Sequence, residues 1–182
     1  MAGLKTKSRK TVEDYLRLPE GIRAELIEGE LFMSPSPKDR HQRIVGRLFR
    51  ILAEFVETCS LGEVRIAPLD VHLPTGDVVQ PDIIFVQGNH SSILQDWIRG
   101  VPDLLVEVLS PENPERDRII KRDLYAANGV REYWIVDDTT RSVEVRSNSG
   151  GSYPDPAYFE EADELVSPLL PGLSLAVRRI FE

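Results

Sequence analysis

Two carboxylates interrupt segments of the sequence that otherwise have the composition of buried strands. Asp82 lies in the segment VVQPDIIFV, and Glu107 lies in PDLLVEVLSP. A lone carboxylate among Val, Ile and Leu side chains costs free energy unless a cation, a hydrogen-bond donor or a proton meets it. If the two strands are neighbours, about 4.8 Å apart, the carboxylates can lie side by side. Oxygen ligands of this kind suit Mg²⁺, with Mn²⁺ as an alternative, so the pair predicts a metal site.

Lys121 is a second positive group that could meet the two acids, because it lies in the helix that follows the Glu107 strand. In an α-helix, Asp117, Lys121 and Tyr125 share one face at i, i+4 and i+8 spacing. We expect this polar stripe to run beside an apolar stripe of the same helix, formed by Ile120, Leu124 and Ala127. The alternative is a surface ion pair between Asp117 and Lys121, worth only about 0.2–0.5 kcal/mol.

Each acid also has a purely structural interpretation. Asp82 could end a strand and cap a turn, and Glu107 could form a salt bridge without catalytic meaning. Asp103, in a second Pro-Asp pair, precedes Glu107 by four residues of the same predicted strand. These two carboxylates would lie roughly 13 Å apart, too far to share one cation. Asp82 is therefore the partner that we expect for Glu107.

The helices that must position these side chains are indicated by apolar periodicity and by capping residues. A short helix is predicted in TVEDYLRLPEG, and a long one over residues 40–58, where apolar residues recur at helical spacing. A further helix follows the Glu107 strand, with Asn113 as its cap and Asn128-Gly129 at its end.

The strands are indicated by short apolar runs between turn residues. AELIEGELFM predicts a hairpin with its turn at EGE, and EVRIAPLDVHLP and DVVQPDIIFVQ predict two strands joined at PTGD. A strand pair in VREYWIVDD and SVEVRS follows the last long helix. This order of elements predicts a mixed α/β fold in which helices pack on a sheet.

Length and composition limit the class of protein. The 182 residues suit one domain, 1–182, and we expect residues 1–10 to form a flexible tail. No apolar run reaches the length of a membrane span, and no apolar stretch follows the basic N-terminus as in a secretory signal. Cys59 is the single cysteine, which excludes an internal disulfide and a zinc site of several thiolates. We expect a cytoplasmic protein without a membrane partner.

The charge is unevenly distributed along the chain. The net charge is −8, which by itself argues against nonspecific binding to nucleic acid. Residues 1–50, however, hold 11 Lys and Arg against 7 Asp and Glu. On charge alone, a solvated surface of uneven charge is the interpretation that we favour. If the N-terminal third does face a polyanion, its phosphate contacts would come from Lys5, Lys7, Arg9, Lys10, Arg43, Arg47 and Arg50.

Several motifs together resemble the Uma-two family of restriction-endonuclease-like proteins, which belongs to the PD-(D/E)XK nuclease superfamily. The resemblance covers nearly the whole chain and rests on ELIEGELFMSPSP, VVQPDIIFV, GVPDLLVEVLSP, RDRIIKRDLYAANGVREYWIVDD and SPLLPGLSL. It implies a restriction-endonuclease-like core, a mixed central β-sheet flanked by helices, with an N-terminal helix-hairpin extension.

The resemblance also implies roles for individual residues. Asp82 matches the motif aspartate and Glu107 the second acid, while the backbone carbonyl of Val108 could supply a third metal ligand. The superfamily pattern places Lys two positions after the second acid, where this chain has Leu109. The lysine is then expected to have moved to Lys121. Glu28, in ELIEG, matches an acidic position of the family's N-terminal motif and could be a further ligand; the alternative is an ordinary turn residue. Apart from the resemblance, His41 could contact phosphate or simply be a surface residue at a helix start, and Asp117 and Tyr125 are accessory candidates because they share the helix face of Lys121.

The expected function is therefore that of a Mg²⁺-dependent DNA endonuclease, acting as a homodimer because a duplex has two strands to cut. A catalytically weak or inactive nucleic-acid-binding or interaction module on the same fold is the alternative. A hydrolase of another anionic substrate has little support, since the sequence shows no phosphate-binding Gly-rich loop, no nucleophile elbow and no zinc-spaced His set.

Overall fold

The structure is a computed structural model that describes residues 9–110 and 114–182. Asn113, Lys5 and Lys7, which the sequence suggested as cap and phosphate contacts, lie outside the described residues. The N-terminal elements are α1 (Val12–Leu16), β1 (Ala24–Ile27), β2 (Glu30–Met33) and the long helix α2 (Asp39–Thr58). Short strands and a 3₁₀-helical turn follow: β3 (Gly62–Ile66), β4 (Val71–His72), β5 (Val78–Val79), β6 (Ile83–Gln87), the turn Gly88–Ile93, β7 (Ile98–Arg99) and β8 (Leu104–Val108).

The C-terminal elements begin with a π-helical segment that continues directly into an α-helix. They are the π-helix Arg116–Lys121, α3 (Arg122–Asn128), β9 (Glu132–Asp137), β10 (Ser142–Ser147), β11 (Ala157–Glu160), β12 (Glu164–Val166), β13 (Ser174–Ala176) and α4 (Arg178–Phe181). No helix among these described residues has both the length and the apolar character needed to cross a bilayer.

Two larger β-sheets organise these elements. One has the strand order β11-β10-β9-β8-β6-β3, in which β8 and β9 are parallel and the other neighbours antiparallel. The other has the order β2-β1-β5-β4-β7 and contains the N-terminal hairpin. The mixed sheet flanked by helices and the helix-hairpin extension, both predicted from the sequence, are confirmed.

Helix α2 covers one face of the six-stranded sheet. Its apolar positions recur at helical spacing, so Ile44, Val45, Leu48, Leu52 and Val56 are all buried on one side. They pack against a core that includes side chains of β6, β8 and β9. The opposite face of the same sheet packs against α3 and the second sheet in a separate cluster. The central strand β8 is consequently buried along its whole length, as its apolar composition requires.

The two long strands predicted around PTGD are each divided between the two sheets. The hairpin turn itself is correct, because β4 and β5 pair antiparallel on either side of it. Pro81 has no N–H to donate to a strand ladder, and the chain passes at this point from β5 in one sheet to β6 in the other. Asp82 therefore lies at the junction of the two sheets, immediately before β6, and not within a continuous strand.

The predicted apolar stripe on the helix after β8 is wrong in part. Leu124 is buried, but Ile120 is 37% exposed and Ala127 is exposed, while Asp117 and Lys121 are buried. Asp117, Lys121 and Tyr125 do share one face, as their i, i+4 and i+8 spacing predicts, but this face is turned to the interior and part of the predicted apolar stripe is left exposed. Residues Arg116–Lys121 of this helix form a π-helix. The polar stripe of this helix, not its isoleucines, points into the protein.

Glu132 connects the C-terminal segment to the six-stranded sheet. This residue of β9 is 1% exposed and accepts hydrogen bonds from Trp134 Nε1, at 2.7 Å, and from Leu169 N, at 3.0 Å. Ser167 Oγ donates to it as well. One buried carboxylate thus satisfies three donors that would otherwise lack partners.

Replacing Glu132 with Ala should lower the free energy of unfolding by about 1–3 kcal/mol, because buried donors lose their acceptor. Urea denaturation followed by tryptophan fluorescence measures the change. The control is Glu57→Ala on the exposed side of α2, which should stay within about 0.5 kcal/mol of the original protein. Equal losses in the two variants would contradict the anchoring role of Glu132.

Candidate active site

A cavity of about 350 Å³ lies at the junction of the two sheets. Its walls come from β1, from the segment 34–38 between β2 and α2, from the start of α2, from β8 and from the π-helix. Charged and titratable side chains dominate the lining, which includes Arg23, Glu25, Lys38, His41, Asp82, Glu107, Arg116, Asp117 and Lys121.

Strand pairing places the two predicted acids next to each other. Strands β6 and β8 pair antiparallel with Ile83 opposite Val106, so the next step of the register sets Asp82 beside Glu107. The backbone N–H of Val108 donates to Asp82 Oδ2 at 2.8 Å. Strands β6 and β8 are therefore neighbours, as the predicted side-by-side placement of the two carboxylates requires.

Lys121 holds three carboxylates together. Its ammonium lies 2.8 Å from Glu107 Oε1, 2.9 Å from Glu25 Oε1 and 3.5 Å from Asp117 Oδ1. Tyr125 donates its hydroxyl to the same Glu107 oxygen at 2.9 Å. Lys121 is 3% exposed, so these are buried interactions and the surface ion pair considered as the alternative is excluded.

Burial and crowding shift the pKa values of this cluster. Burial raises the pKa of Glu107 well above its ordinary value; Lys121 opposes this rise, whereas the neighbouring carboxylates add to it. The pKa of Asp117 is raised for the same reasons, with burial again the largest. Burial alone lowers the pKa of Lys121, but Glu107, Glu25 and Asp117 outweigh it and raise that pKa. Lys121 is consequently an ammonium at neutral pH, able to donate but not to act as a base.

His41, at the start of α2, contacts two of the predicted ligand atoms. Its Nε2 lies 3.1 Å from the Val108 carbonyl oxygen and 3.3 Å from Asp82 Oδ2. Both neighbours are acceptors, so Nε2 carries a hydrogen here. Burial by itself lowers the pKa of His41, yet the hydrogen bond and charge of Asp82, with help from the Val108 carbonyl, raise it overall.

Most of the predicted site residues converge on this cavity. Its lining or the contacts just described include Asp82, Glu107, Val108, Lys121, His41, Asp117 and Tyr125. Glu28 does not join them. It is exposed in the β1–β2 turn at φ 51°, where its N–H donates to Asp77 Oδ1 at 2.6 Å. This position is that of an ordinary turn residue and not of a ligand in the cavity.

The sequence analysis missed Glu25, the other glutamate of ELIEG. It is 1% exposed, and besides Lys121 its Oε1 accepts the N–H of Gln80 at 2.9 Å. Glu25 is a carboxylate within an apolar strand, which is the same pattern that identifies Asp82 and Glu107, since every residue of β1 is buried. The strand is only four residues long, however, so the pattern is too short to distinguish Glu25 from the turn residue Glu28.

Those basic residues suggested as phosphate contacts that lie within the described residues do not line the cavity. Arg43, on α2, pairs with Asp39 at 3.2 Å, and Arg47 and Arg50 are on the same helix, outside the cavity. Arg9 and Lys10 lie against the β1–β2 turn, where Lys10 N donates to Gly29 O at 2.8 Å. The arginines that do line the cavity are Arg23 and Arg116.

The donor chemistry of the cavity fits a hard divalent cation. Four carboxylates line it, and among the described residues Glu25 Oε2 and Asp117 Oδ1 are buried without a hydrogen-bond partner. Carboxylate oxygens are the ligands that Mg²⁺ prefers. Within residues 9–110 and 114–182, however, no three His, Cys, Asp or Glu side chains form a ready-made metal site. A ligand set drawn from these acids would need a backbone oxygen or water to complete it.

Comparison with known proteins identifies related sequences and folds. A family model, Uma2, described as "Putative restriction endonuclease", matches residues 12–178. Among solved structures, the chain is similar to "a putative nuclease belonging to DUF820 from Anabaena variabilis ATCC 29413", with a TM-score of 0.80. The two chains share 20% sequence identity, over 94% of this chain and 97% of the other, so the likeness concerns the fold. No curated protein matches the chain.

The charge balance of the cluster generates a stability prediction. Lys121→Met should lower the free energy of unfolding at pH 8 by about 3–5 kcal/mol, because it leaves buried carboxylates without their ammonium. The loss should be smaller at pH 5. Without Lys121 the pKa values of Glu107 and Asp117 rise further, so the folded state binds more protons than the unfolded state and its stability falls as pH rises.

Urea denaturation at both pH values measures this difference. The matched control is Arg122→Met, one residue further along the helix, where the guanidinium pairs with the exposed Asp123. That variant should change the stability little and equally at the two pH values. A Lys121→Met variant whose deficit does not depend on pH would show that uncompensated carboxylates are not its cause.

Proposed function

Because the chain belongs to the Uma2 family, described as putative restriction endonucleases, we propose that it hydrolyses phosphodiester bonds of DNA in the cavity between its two sheets. The observation that carries the proposal is the convergence of Asp82, Glu107 and Lys121, which are distant in the sequence. We propose a divalent cation as cofactor, Mg²⁺ with Mn²⁺ as the alternative.

Asp82 and Glu107 would hold the cation, with the Val108 carbonyl oxygen as a further ligand. A bound cation supplies a water of lowered pKa and offsets the negative charge that develops on phosphate. Burial raises the pKa of Glu107 even though Lys121 opposes the rise, so a bound cation would favour its charged form.

Lys121 would act as an ammonium that orients the attacking water and stabilises charge in the transition state. Its raised pKa excludes it as the group that takes the proton of that water. The usual Lys position, two residues after the second acid, holds Leu109, which is buried. The chain instead delivers Lys121 from the π-helix to within 2.8 Å of Glu107.

Tyr125 and His41 would position the ligands and not react themselves. Burial and the charge of Glu107 raise the pKa of Tyr125 well above its ordinary value, so the phenol stays neutral and donates to Glu107. His41 contacts the Asp82 carboxylate and the Val108 carbonyl oxygen, and would hold these two groups in place where β6 and β8 meet.

A binding or interaction module without cleavage is the second candidate. The observation in its favour is that Lys121 is engaged by three carboxylates and that Leu109 stands at the usual lysine position. Such a module would bind nucleic acid without cutting it. The same experiment distinguishes the two candidates.

Supercoiled plasmid incubated with Mg²⁺ or Mn²⁺ should be nicked or linearised by the purified protein. Asp82→Asn and Glu107→Gln should each reduce the rate at least about a hundredfold, because each removes a charge that holds the cation. EDTA should abolish cleavage. Gel electrophoresis of time points gives the rates.

The matched control is Glu115→Gln, which removes one charge from an exposed residue outside the cavity lining and should retain full activity. Plasmid that stays intact with the original protein under both metals would favour the binding module. Equal cleavage by all variants would instead point to a contaminating nuclease and contradict the assigned site.

We also propose that the active form is a homodimer, because cutting both strands of a duplex generally calls for two active sites. Sedimentation velocity at increasing concentration should show a dimer. The measurement needs a reductant, since Cys59 is exposed and could link two copies artificially. A monomer at the highest concentrations would contradict the proposal.

A further inference from the structure

We propose that Arg23 and Arg116 form a phosphate-binding pair that holds the substrate's phosphodiester against the carboxylates of the cavity. The inference rests on the proposed function and assigns the substrate-binding residues of the same site. Both arginines line the cavity, Arg23 from the residue that precedes β1 and Arg116 from the π-helix. They approach it from two different elements, as two sides of a clamp would.

Arg23 is placed by the alternation of β1. It immediately precedes the strand and lies two residues before Glu25, so the two side chains point to the same side of the sheet. The backbone is fixed there, because Ser34 N donates to Arg23 O at 2.9 Å. Yet the Nε of Arg23 is buried and, within the described part of the chain, has no hydrogen-bond partner.

Arg116, on the π-helix, is in the same condition. Its side chain is only 16% exposed, and its Nε lies 4.0 Å from Glu25 Oε2, too far for a hydrogen bond. Both of these atoms are therefore buried without a hydrogen-bond partner among the described residues. Buried guanidinium donors without acceptors are costly, and an acceptor from outside the chain would satisfy them.

The chemistry of that acceptor follows from the charges. A guanidinium matches phosphate oxygens with two parallel hydrogen bonds, which a carboxylate floor cannot offer an anion. The ammonium of Lys121 is already directed to Glu25, Glu107 and Asp117 on the floor of the cavity. The exposed arginines of α2 lie outside the cavity. Arg23 and Arg116 thus supply the guanidinium groups that an entering phosphodiester would meet on the walls, where Lys38 also lies.

The test measures DNA binding by Arg23→Gln and Arg116→Gln. Fluorescence anisotropy with a labelled single-stranded and a labelled duplex oligonucleotide, in Ca²⁺ in place of Mg²⁺, gives the Kd. Each variant should bind about tenfold or more weakly, as expected for loss of a charge-assisted hydrogen bond. The slope of log Kd against log salt should fall by roughly 0.7–0.9 for each lost phosphate contact. Loss of a merely structural arginine would leave this slope unchanged.

The matched control is Arg179→Gln, which removes the same charge from an exposed residue outside the cavity and should keep Kd and slope. Arg23→Lys and Arg116→Lys keep the charge but lose the paired donors. Their Kd values should lie between those of the original protein and of the Gln variants. Circular dichroism melting verifies that each variant is folded. If the Gln variants destabilise the fold, the comparison uses the Lys variants. Kd and salt slope equal to those of the original protein would overturn the proposal.

A second probe separates this inference from the proposed function. If the original protein cuts no DNA but binds the diester bis(4-nitrophenyl) phosphate by ³¹P NMR, and the Arg variants lose that binding, the pair stands and the nuclease proposal fails. If the original protein binds neither oligonucleotides nor the diester, the arginine pair is refuted. If it cuts DNA and the Arg variants cut with unchanged KM, the pair is refuted while the nuclease proposal stands.

Discussion

The buried ammonium of Lys121 is the interaction on which the arrangement of the site depends. Glu25, Glu107 and Asp117 could not be buried together without it, and Lys121 could not be buried without them. The three acids come from β1, from β8 and from the π-helix, which belong to different layers of the fold. Satisfying this one cation therefore fixes how the N-terminal hairpin, the central sheet and the helix meet.

Two features of the backbone, at Pro81 and in the π-helix, accompany this contact between the hairpin, the central sheet and the helix. At Pro81 the chain leaves one sheet for the other, and Asp82 is exposed to the cavity at the resulting gap instead of being enclosed by neighbouring strands. Asp117 and Lys121, on the π-helix, lie on the buried side, whereas Ile119 and Ile120 beside them are left partly exposed. Exposing two isoleucines to bury a charged pair costs stability. Such a local cost is typical of segments that serve a site.

The contrast between Glu25 and Glu28 shows which site residues could be predicted from the sequence and which could not. Asp82 and Glu107 were found because an acid in an apolar run indicates a special environment, and pairing of β6 and β8 brings them together. The family and the mixed sheet flanked by helices were likewise recognised from motifs, and both are confirmed. Glu25 escaped because a four-residue strand gives too little pattern to show which glutamate of ELIEG points inward. On the helix after β8 the spacing correctly groups Asp117, Lys121 and Tyr125 on one face, but residue type favours an isoleucine over a charged residue as the buried side chain, so the sequence could not show that the charged face is the buried one.

Charge decides what the cavity can receive. The chain carries a net charge of −8, so its overall field repels a polyanion, and the cavity floor adds four carboxylates to that repulsion. Any attraction for DNA must then be short in range and come from groups inside the cavity, where solvent and salt screen charges less than at the surface. A cation on the floor and guanidinium groups on the walls meet this requirement together. The floor alone would hold the cation but exclude the phosphate, and the walls alone would hold the phosphate without activating a nucleophile. Under the proposed function the site therefore needs both, and recognition is expected at the phosphate being cut instead of along an extended basic surface.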